Sequence, residues 1–166
     1  MLSAQSLALI DREVAKYPAD QKRSAVMGAL RIALEERRST GETPEARCLN
    51  QEVIEFVANY LEIPPVAAYE VATFYNMYDM KPVGKYKITV CTNLPCALRG
   101  GVNAAEYISH KLGIAIGETS SDGMYTLLEG ECMGACGDAP VLLVNNHSMC
   151  SFMTPEAIDK KLAELK

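Results

Sequence analysis

Four of the six cysteines fall into two close pairs, and this spacing constrains the chain more than any other feature. The pairs are Cys91 with Cys96 and Cys132 with Cys136, with 35 residues between them. Each pair follows a short run of residues that is typical of a β-strand. Because two strands can end at the same edge of one sheet, we expect the four thiols to meet there. The spacing is typical of a four-cysteine metal centre.

Composition narrows the kind of protein that carries this centre. The chain has 166 residues, 49% of them hydrophobic, which is enough for one domain with an appendage or for two small domains. Its formal net charge of −5 argues against nucleic-acid binding. No secretory signal, transit peptide or run of about 18 apolar residues is visible, so we expect a cytoplasmic protein without a membrane span. In that reducing compartment, closely spaced cysteines more often bind metal than form disulfides.

The hydrophobic pattern changes near residues 81–84, where we predict a boundary between two domains. Residues 1–80 have the apolar spacing of helices, whereas residues 81–166 alternate between strands and helices. The expected fold class is therefore α+β, with a helical bundle followed by a mixed domain.

Four helices are predicted in residues 1–80. Asn50 is a predicted N-cap, and Pro64-Pro65 opens the last of these helices. Residues 38–44 predict an exposed loop. The aromatic and methionine-rich residues 74–80 are interpreted as core packing, with a subunit interface as the alternative.

The second domain is predicted to have the order βαβββα. Lys85, Lys87 and Thr89 alternate with apolar residues, so the first strand is expected to have one face in water. The predicted elements are residues 85–90, 101–112, 125–131, 141–144 and 149–152, and a helix from Thr154.

Zinc and a 2Fe-2S cluster both suit a set of four cysteines. Tetrahedral zinc is a common structural choice, although zinc sites usually have tighter cysteine spacing. A 2Fe-2S cluster is wider, with two thiolates on each iron, and the longer loop from Cys91 to Cys96 suits it better. Histidine ligands are not expected, because His110 and His147 lie outside both loops. The residues favour iron and sulfur with four cysteine ligands, and zinc stays open.

Glycines and carboxylates surround the second cysteine pair. We expect the glycines to adopt positive φ and direct N–H groups toward sulfur, and the carboxylates to make a bound cluster harder to reduce. The residues are Gly130, Gly134, Gly137, Glu129, Glu131 and Asp138. The two remaining cysteines, Cys48 and Cys150, are solitary and are interpreted as small buried hydrophobic residues.

Four stretches of the chain, residues 71–75, 81–86, 91–96 and 130–140, are similar to the E subunit of bacterial NADH:quinone oxidoreductase, respiratory complex I. The resemblance extends from about Lys16 to the C-terminus and is most specific in the two cysteine-containing loops. It implies a helical bundle followed by a thioredoxin-like ferredoxin domain that holds one 2Fe-2S cluster on the paired cysteines. Unlike many family members, this chain has no tryptophan near the end of the second helix, so we expect different local packing there.

The resemblance also implies partners. A flavoprotein subunit would bind NADH and FMN, and a neighbouring iron-sulfur subunit would lie beside it, on the cytoplasmic face of the inner membrane. The chain would then be a non-autonomous subunit of an NADH dehydrogenase that transfers single electrons, with no catalytic residues of its own. It lacks the glycine fingerprint of a dinucleotide-binding domain, so NADH binding falls to a partner.

Three other functions fit the same cysteine loops. Small diaphorase subunits of NAD-linked hydrogenases and formate dehydrogenases share them. A free 2Fe-2S ferredoxin would carry electrons by diffusion, but such a carrier has no evident need for the helical residues 1–80. A zinc-stabilised adaptor is the alternative without redox chemistry.

Overall fold

Four α-helices form the first of two compact parts of the chain, which the computed structural model describes from residue 2 to residue 165. They are α1 (Ala4–Val14), α2 (Val26–Thr40), α3 (Gln51–Tyr60) and α4 (Pro65–Phe74), with 3₁₀ turns at Ala19–Ala25 and Glu45–Arg47. The first part ends at Pro82 and the second begins at Val83. The prediction of four helices is confirmed. Over the described residues, no helix is long and apolar enough to cross a bilayer.

Local signals in the sequence set where the helices begin. The side chain of Asn50 accepts a hydrogen bond from the Val53 N–H at 3.1 Å, which satisfies one of the free donors at the start of α3. Pro65 lies in the first turn of α4, where its missing N–H costs no helical hydrogen bond. The predicted Asn50 cap and proline start are therefore confirmed.

The apolar faces of the four helices meet in one core. Burying a Leu, Ile or Val side chain contributes roughly 1.5–3 kcal/mol, so a cluster of this size gives the helices most of their stability. The most deeply buried members are Ile10, Ala29, Leu30, Ala33, Leu49, Ile54, Val57, Ala58, Leu61 and Ala68.

Only part of the aromatic and methionine-rich run at residues 74–80 packs into this core. Tyr78 is buried, and its hydroxyl donates to the Met27 carbonyl at 2.9 Å. Phe74, in contrast, is 79% exposed, and Tyr75 and Met77 are also exposed. The interpretation of this run as core packing is wrong for these three residues, because α4 ends at Phe74 and the chain reaches the core again only at Tyr78.

Helix α2 continues three residues into the predicted loop of residues 38–44, so that part of the prediction is wrong. Two arginines hold the segment that follows. Arg37 Nε donates to the Cys48 carbonyl at 2.6 Å, and Arg47 Nε donates to the Gly41 carbonyl at 2.9 Å. These bonds satisfy backbone carbonyls beyond the helix end, where the residue types alone indicate only a turn.

A four-stranded sheet is the framework of the second part. The strands are β1 (Tyr86–Cys91), β2 (Tyr125–Gly130), β3 (Leu142–Val144) and β4 (Ser148–Cys150), and the helices are α5 (Leu94–Leu98), α6 (Gly101–Leu112) and α7 (Pro155–Glu164). The order across the sheet is β2-β1-β3-β4. Strand β1 is parallel to β2 and antiparallel to β3. The predicted order βαβββα is confirmed, with the short helix α5 added.

One of the two faces of β1 differs from the prediction. One face carries Ile88 and Val90 into a core with residues of α6 and α7, as expected. The other face is not in water along its whole length, because Lys87 is only 2% exposed. Its partner on β2, Thr126, is also buried and accepts a hydrogen bond from the Gly84 N–H at 2.7 Å. The predicted wet face is therefore wrong at Lys87, at the level of the sheet where the segment before β1 bonds to the side chain of Thr126.

A buried ion pair joins α2 to the end of the helical part. Arg38 Nη2 donates to Asp79 Oδ2, and their side chains are 17% and 5% exposed. The Asp79 carbonyl accepts a hydrogen bond from the Leu49 N–H at 2.8 Å. Because little water reaches either charged group, their attraction offsets part of the cost of burying both charges.

Replacing Asp79 should therefore destabilise the helical part strongly. We expect Asp79→Ala to lower the free energy of unfolding by about 3–5 kcal/mol, because it removes the carboxylate that offsets the largely buried charge of Arg38. Urea unfolding followed by circular dichroism measures the effect. The matched control is Glu35→Gln, which breaks an ion pair with Arg31 whose side chains are 52% and 57% exposed, and should cost about 0.5 kcal/mol or less. Equal losses in the two variants would contradict the buried pair.

Candidate metal centre

The parallel pairing of β1 and β2 brings the two cysteine-containing loops to one edge of the sheet. Cys91 is the last residue of β1 and pairs with Gly130, the last residue of β2. Cys132 follows two residues after that strand end, and Cys136 begins the 3₁₀ turn Cys136–Asp138. Cys96 lies in α5, directly beyond β1. The structure therefore places all four paired cysteines beside the same strand ends.

The four thiols form two close pairs with different exposure. Cys91 and Cys96 are each 1% exposed and belong to a small apolar cluster with Ala139. Cys132 and Cys136 are exposed, and their sulfur atoms lie 3.3 Å apart. One pair thus faces the protein interior and the other faces solvent.

The pKa values of the thiols reflect this arrangement. Burial, together with a hydrogen bond to the Cys91 side chain, raises the pKa of Cys96. The Gly134 N–H and the Cys136 thiol lower the pKa of Cys132 by hydrogen bonding to its sulfur. The pKa of Cys136 is raised by its hydrogen bond to Cys132, and the Cys91 thiol adds to this increase through its charge.

The donor set suits a centre with two metal atoms. Four cysteine sulfurs are soft ligands, which iron-sulfur clusters and zinc prefer. Among residues 2–165, no group of three or more His, Cys, Asp or Glu side chains is arranged to hold a metal ion. The pairing of the cysteines along the chain fits a cluster with two thiolates on each iron. His110 is exposed on α6 and His147 is exposed in the turn after β3.

Glycines shape this site in ways that the sequence indicates only in part. Gly134 has a φ of +79°, and its N–H donates to Cys132 Sγ at 3.4 Å, as expected. The expectation of positive φ is wrong for Gly130 and Gly137. Residue 130 is instead a position with no room for a side chain, because a Cβ there would lie 2.6 Å from Thr89 Cγ2.

Gly101, which the sequence marks only as a helix start, lies against both inner cysteines. A Cβ at this position would be 2.6 Å from the Cys91 carbonyl oxygen and 2.9 Å from the Cys96 carbonyl oxygen. Real Cβ atoms do not approach backbone oxygens this closely, so only glycine lets α6 pack here. The doublet Gly100-Gly101 just after a cysteine loop is the signal that could have revealed this contact.

Two of the three acidic residues near the second pair are held by hydrogen bonds. Glu131 Oε2 accepts from Asn93 Nδ2 at 2.6 Å, and Asp138 Oδ2 accepts from Ser151 Oγ at 3.1 Å. The third, Glu129, is exposed on β2. Sequence reasoning did not single out Asn93, although an asparagine between two paired cysteines and before a helix is a recognisable cap signal.

The two solitary cysteines lie elsewhere. Cys48 is 5% exposed, and its Sγ lies 3.4 Å from the Glu45 carbonyl in the helical part. Cys150 is half-buried in β4 and packs against the core of the second part. Burial raises the pKa of both thiols, as expected of packing residues rather than reactive ones.

Comparison with known proteins identifies the relatives of this chain. A family model described as thioredoxin-like [2Fe-2S] ferredoxin matches residues 10–166. The E subunit of NADH-quinone oxidoreductase from Rickettsia bellii is 41% identical over 162 residues, which are 98% of this chain and 92% of that protein. The protein of the same name from Rickettsia prowazekii is 44% identical over 142 residues, 86% of this chain and 76% of that protein.

A solved structure shares the fold. A crystal structure of an NAD+-reducing [NiFe]-hydrogenase in the H2-reduced state superposes with a TM-score of 0.66 at 19% identity, over 82% of this chain and 22% of that chain. At this level of identity, the likeness concerns the fold alone.

Gly101→Ala tests whether the close approach of α6 positions the inner cysteines. The added methyl group must push away the Cys91 and Cys96 carbonyls, so we expect a loss of roughly 1–3 kcal/mol in unfolding free energy. Iron bound per chain should also fall. The matched control is Gly137→Ala, in the second loop, where a Cβ meets no atom within 4 Å. Iron content and stability equal to those of Gly137→Ala would show that α6 does not position these cysteines.

Proposed function

Because this chain belongs to the thioredoxin-like [2Fe-2S] ferredoxin family, and within it to the E subunits of NADH-quinone oxidoreductase, we propose that it exchanges single electrons with FMN held by a partner subunit. Membership of this family makes it an electron-transport subunit of an oxidoreductase complex. The observation that carries the proposal is the position of both thiol pairs beside the ends of two parallel strands.

Four cysteines would hold the cluster: Cys91, Cys96, Cys132 and Cys136. A bound 2Fe-2S cluster takes up and releases one electron at a time. The buried pair, Cys91 and Cys96, keeps water from the inner side of the site. On the outer side, the Gly134 N–H donates to Cys132 Sγ and so stabilises negative charge on that sulfur.

The NADH chemistry belongs to a partner in this proposal. NADH gives up electrons as a hydride, in pairs, so a flavin is needed between it and a one-electron carrier. We assign FMN and NADH to a flavoprotein subunit, with a second iron-sulfur subunit as neighbour. Through the complex, this chain would lie peripherally on the cytoplasmic face of the inner membrane, as the family resemblance implies.

The helical residues 1–80 are proposed as the docking part, and residues 81–166 as the cluster domain. Support comes from α4, where Val66, Tyr69 and Phe74 are 61%, 50% and 79% exposed. Exposed aromatic and aliphatic side chains grouped on one helix are typical of subunit interfaces. A chain that only shuttles electrons by diffusion would gain nothing from this surface.

Cys91→Ser, Cys96→Ser, Cys132→Ser and Cys136→Ser should each lower iron and acid-labile sulfide sharply. A serine hydroxyl is a harder and poorly ionised ligand for iron. Iron, zinc and sulfide per chain are measured after purification without oxygen.

Cys48→Ser and Cys150→Ser are the controls, because both residues lie outside the two loops, and their iron and sulfide should stay at the wild-type level. Full loading of any one of the four ligand variants would remove that residue from the ligand set. Zinc in place of iron and sulfide in the wild-type chain would favour the zinc-stabilised adaptor.

Electron exchange with FMN predicts that NADH reduces the cluster only through the partner. NADH added to the purified chain should leave the EPR signal of the reduced cluster absent, and addition of the FMN-containing flavoprotein subunit should produce it. Phe74→Ser should weaken capture of that subunit while leaving iron content unchanged, whereas Ile116→Ser, at a 42% exposed residue of the second part, should not. Reduction by NADH without the partner, or no reduction with it, would contradict the proposal.

A further inference from the structure

A side-chain hydrogen bond links the two cysteine-containing loops directly. Asn93 Nδ2 donates to Glu131 Oε2 at 2.6 Å. Asn93 lies between Cys91 and Cys96, and Glu131 immediately precedes Cys132. The bond therefore ties the loop of the inner thiol pair to the loop of the outer pair.

The other end of the same amide holds the helix that carries Cys96. Asn93 is the N-cap of α5, and its Oδ1 accepts from the Leu94 N–H at 3.0 Å. With both ends of its amide engaged, the Asn93 side chain has little freedom to rotate. Its donor is therefore aimed at Glu131 by the fold rather than by chance contact at the surface.

This bond also continues the ladder between β1 and β2. Cys91 pairs with Gly130, and the Thr92 N–H then donates to the Gly130 carbonyl at 3.2 Å. The Asn93–Glu131 bond follows as the next link along both chains, beyond the point where the sheet ends. The two loops are thus joined step by step from the strands to the cysteines.

The bond fixes the position of a charge beside the outer thiols. Glu131 is exposed, and a free glutamate on a surface samples several rotamers in water. Glu131 immediately precedes Cys132, and its hydrogen bond to Asn93 holds the carboxylate between the two cysteine-containing loops. A carboxylate held there opposes negative charge that is added at the site.

We propose that Asn93 is a positioning residue whose hydrogen bond joins the two loops and holds the Glu131 carboxylate beside the cluster. The charge of Glu131 then makes the cluster harder to reduce. This inference rests on the proposed cluster at the four paired cysteines. Neither residue binds iron in this arrangement. Asn93 acts through Glu131, and Glu131 acts through its charge.

The test is a double-variant cycle read as midpoint potentials, from EPR-monitored redox titrations at low and high salt. Asn93→Ser keeps a capping oxygen for α5 but loses the amide donor. Glu131→Gln keeps an acceptor for that donor but loses the charge. The third member combines both changes in one chain.

Glu131→Gln should shift the reduction equilibrium at least threefold toward the reduced cluster, which is about 30 mV for one electron. Asn93→Ser should shift it in the same direction by less, because the released carboxylate moves into water but keeps its charge. In a chain that already carries Glu131→Gln, Asn93→Ser should shift the midpoint potential by less than half of the shift that it causes alone. All shifts should shrink at high salt.

Glu129→Gln is the matched control, since it removes the same charge from β2 at a position further from the cysteines. Its shift should be clearly smaller than that of Glu131→Gln. Equal shifts of the midpoint potential in Glu131→Gln and Glu129→Gln would overturn the inference. If Asn93→Ser retains no cluster, this comparison still decides the inference. The inference would also be overturned if Asn93→Ser shifts the midpoint potential as much in the Glu131→Gln chain as in the wild-type chain. The change at the α5 cap would then be responsible for the shift. Absence of iron and sulfide from the wild-type chain contradicts the proposed function instead.

Discussion

The register between β1 and β2 is the constraint on which the candidate site depends. Because Cys91 pairs with Gly130, both loops leave the sheet at the same level, and their cysteines lie beside the same strand ends. A slip of one residue would turn every side chain of one strand to the opposite face. The core resists this slip, since Ile88 and Leu127 are paired in this register and each is at most 1% exposed. Hydrophobic packing some distance from the cysteines thus sets their geometry.

The unequal exposure of the two thiol pairs fits a centre that exchanges electrons with an outside partner. A buried thiolate such as that of Cys91 or Cys96 is costly unless positive charge lies beside it, and metal binding would supply that charge. Cys132 and Cys136 face solvent, so a partner can approach from their side. The inner pair is therefore suited to anchoring a cluster within the fold, and the outer pair to its contact with the rest of a complex.

Much of this architecture follows from local patterns in the sequence. Apolar periodicity, the Asn50 cap and Pro65 predict the helices correctly, because each signal acts within a few residues. Lys87 shows where such patterns fail. An alternating strand predicts water on its polar face, yet Lys87 is buried beside Thr126 of the next strand, whose hydroxyl accepts a hydrogen bond from Gly84. Contacts between distant segments decide this outcome, and local spacing carries no information about them.

The same limit applies inside the site. Cysteine spacing identifies the candidate ligands, but the hydrogen bond between Asn93 and Glu131 exists only once β1 and β2 are paired. Gly101 illustrates the point differently, because a glycine at a helix start predicts weak helix formation and not a close contact with two carbonyl oxygens. In both cases the residue type is visible in the sequence, whereas the group that it contacts is decided by the fold.

The first cysteine loop is short, and it is held from several directions. Gly101 lets α6 pack on the Cys91 and Cys96 carbonyls, while Asn93 caps α5 and reaches across to Glu131. Supports of this kind keep ligand side chains near one geometry. A cluster that gains or loses one electron changes charge without changing its ligands, so loops that need not rearrange add little to the barrier for transfer. The rigidity of this loop is thus a property that an electron carrier requires, and it arises from the packing of ordinary residues around the cysteines.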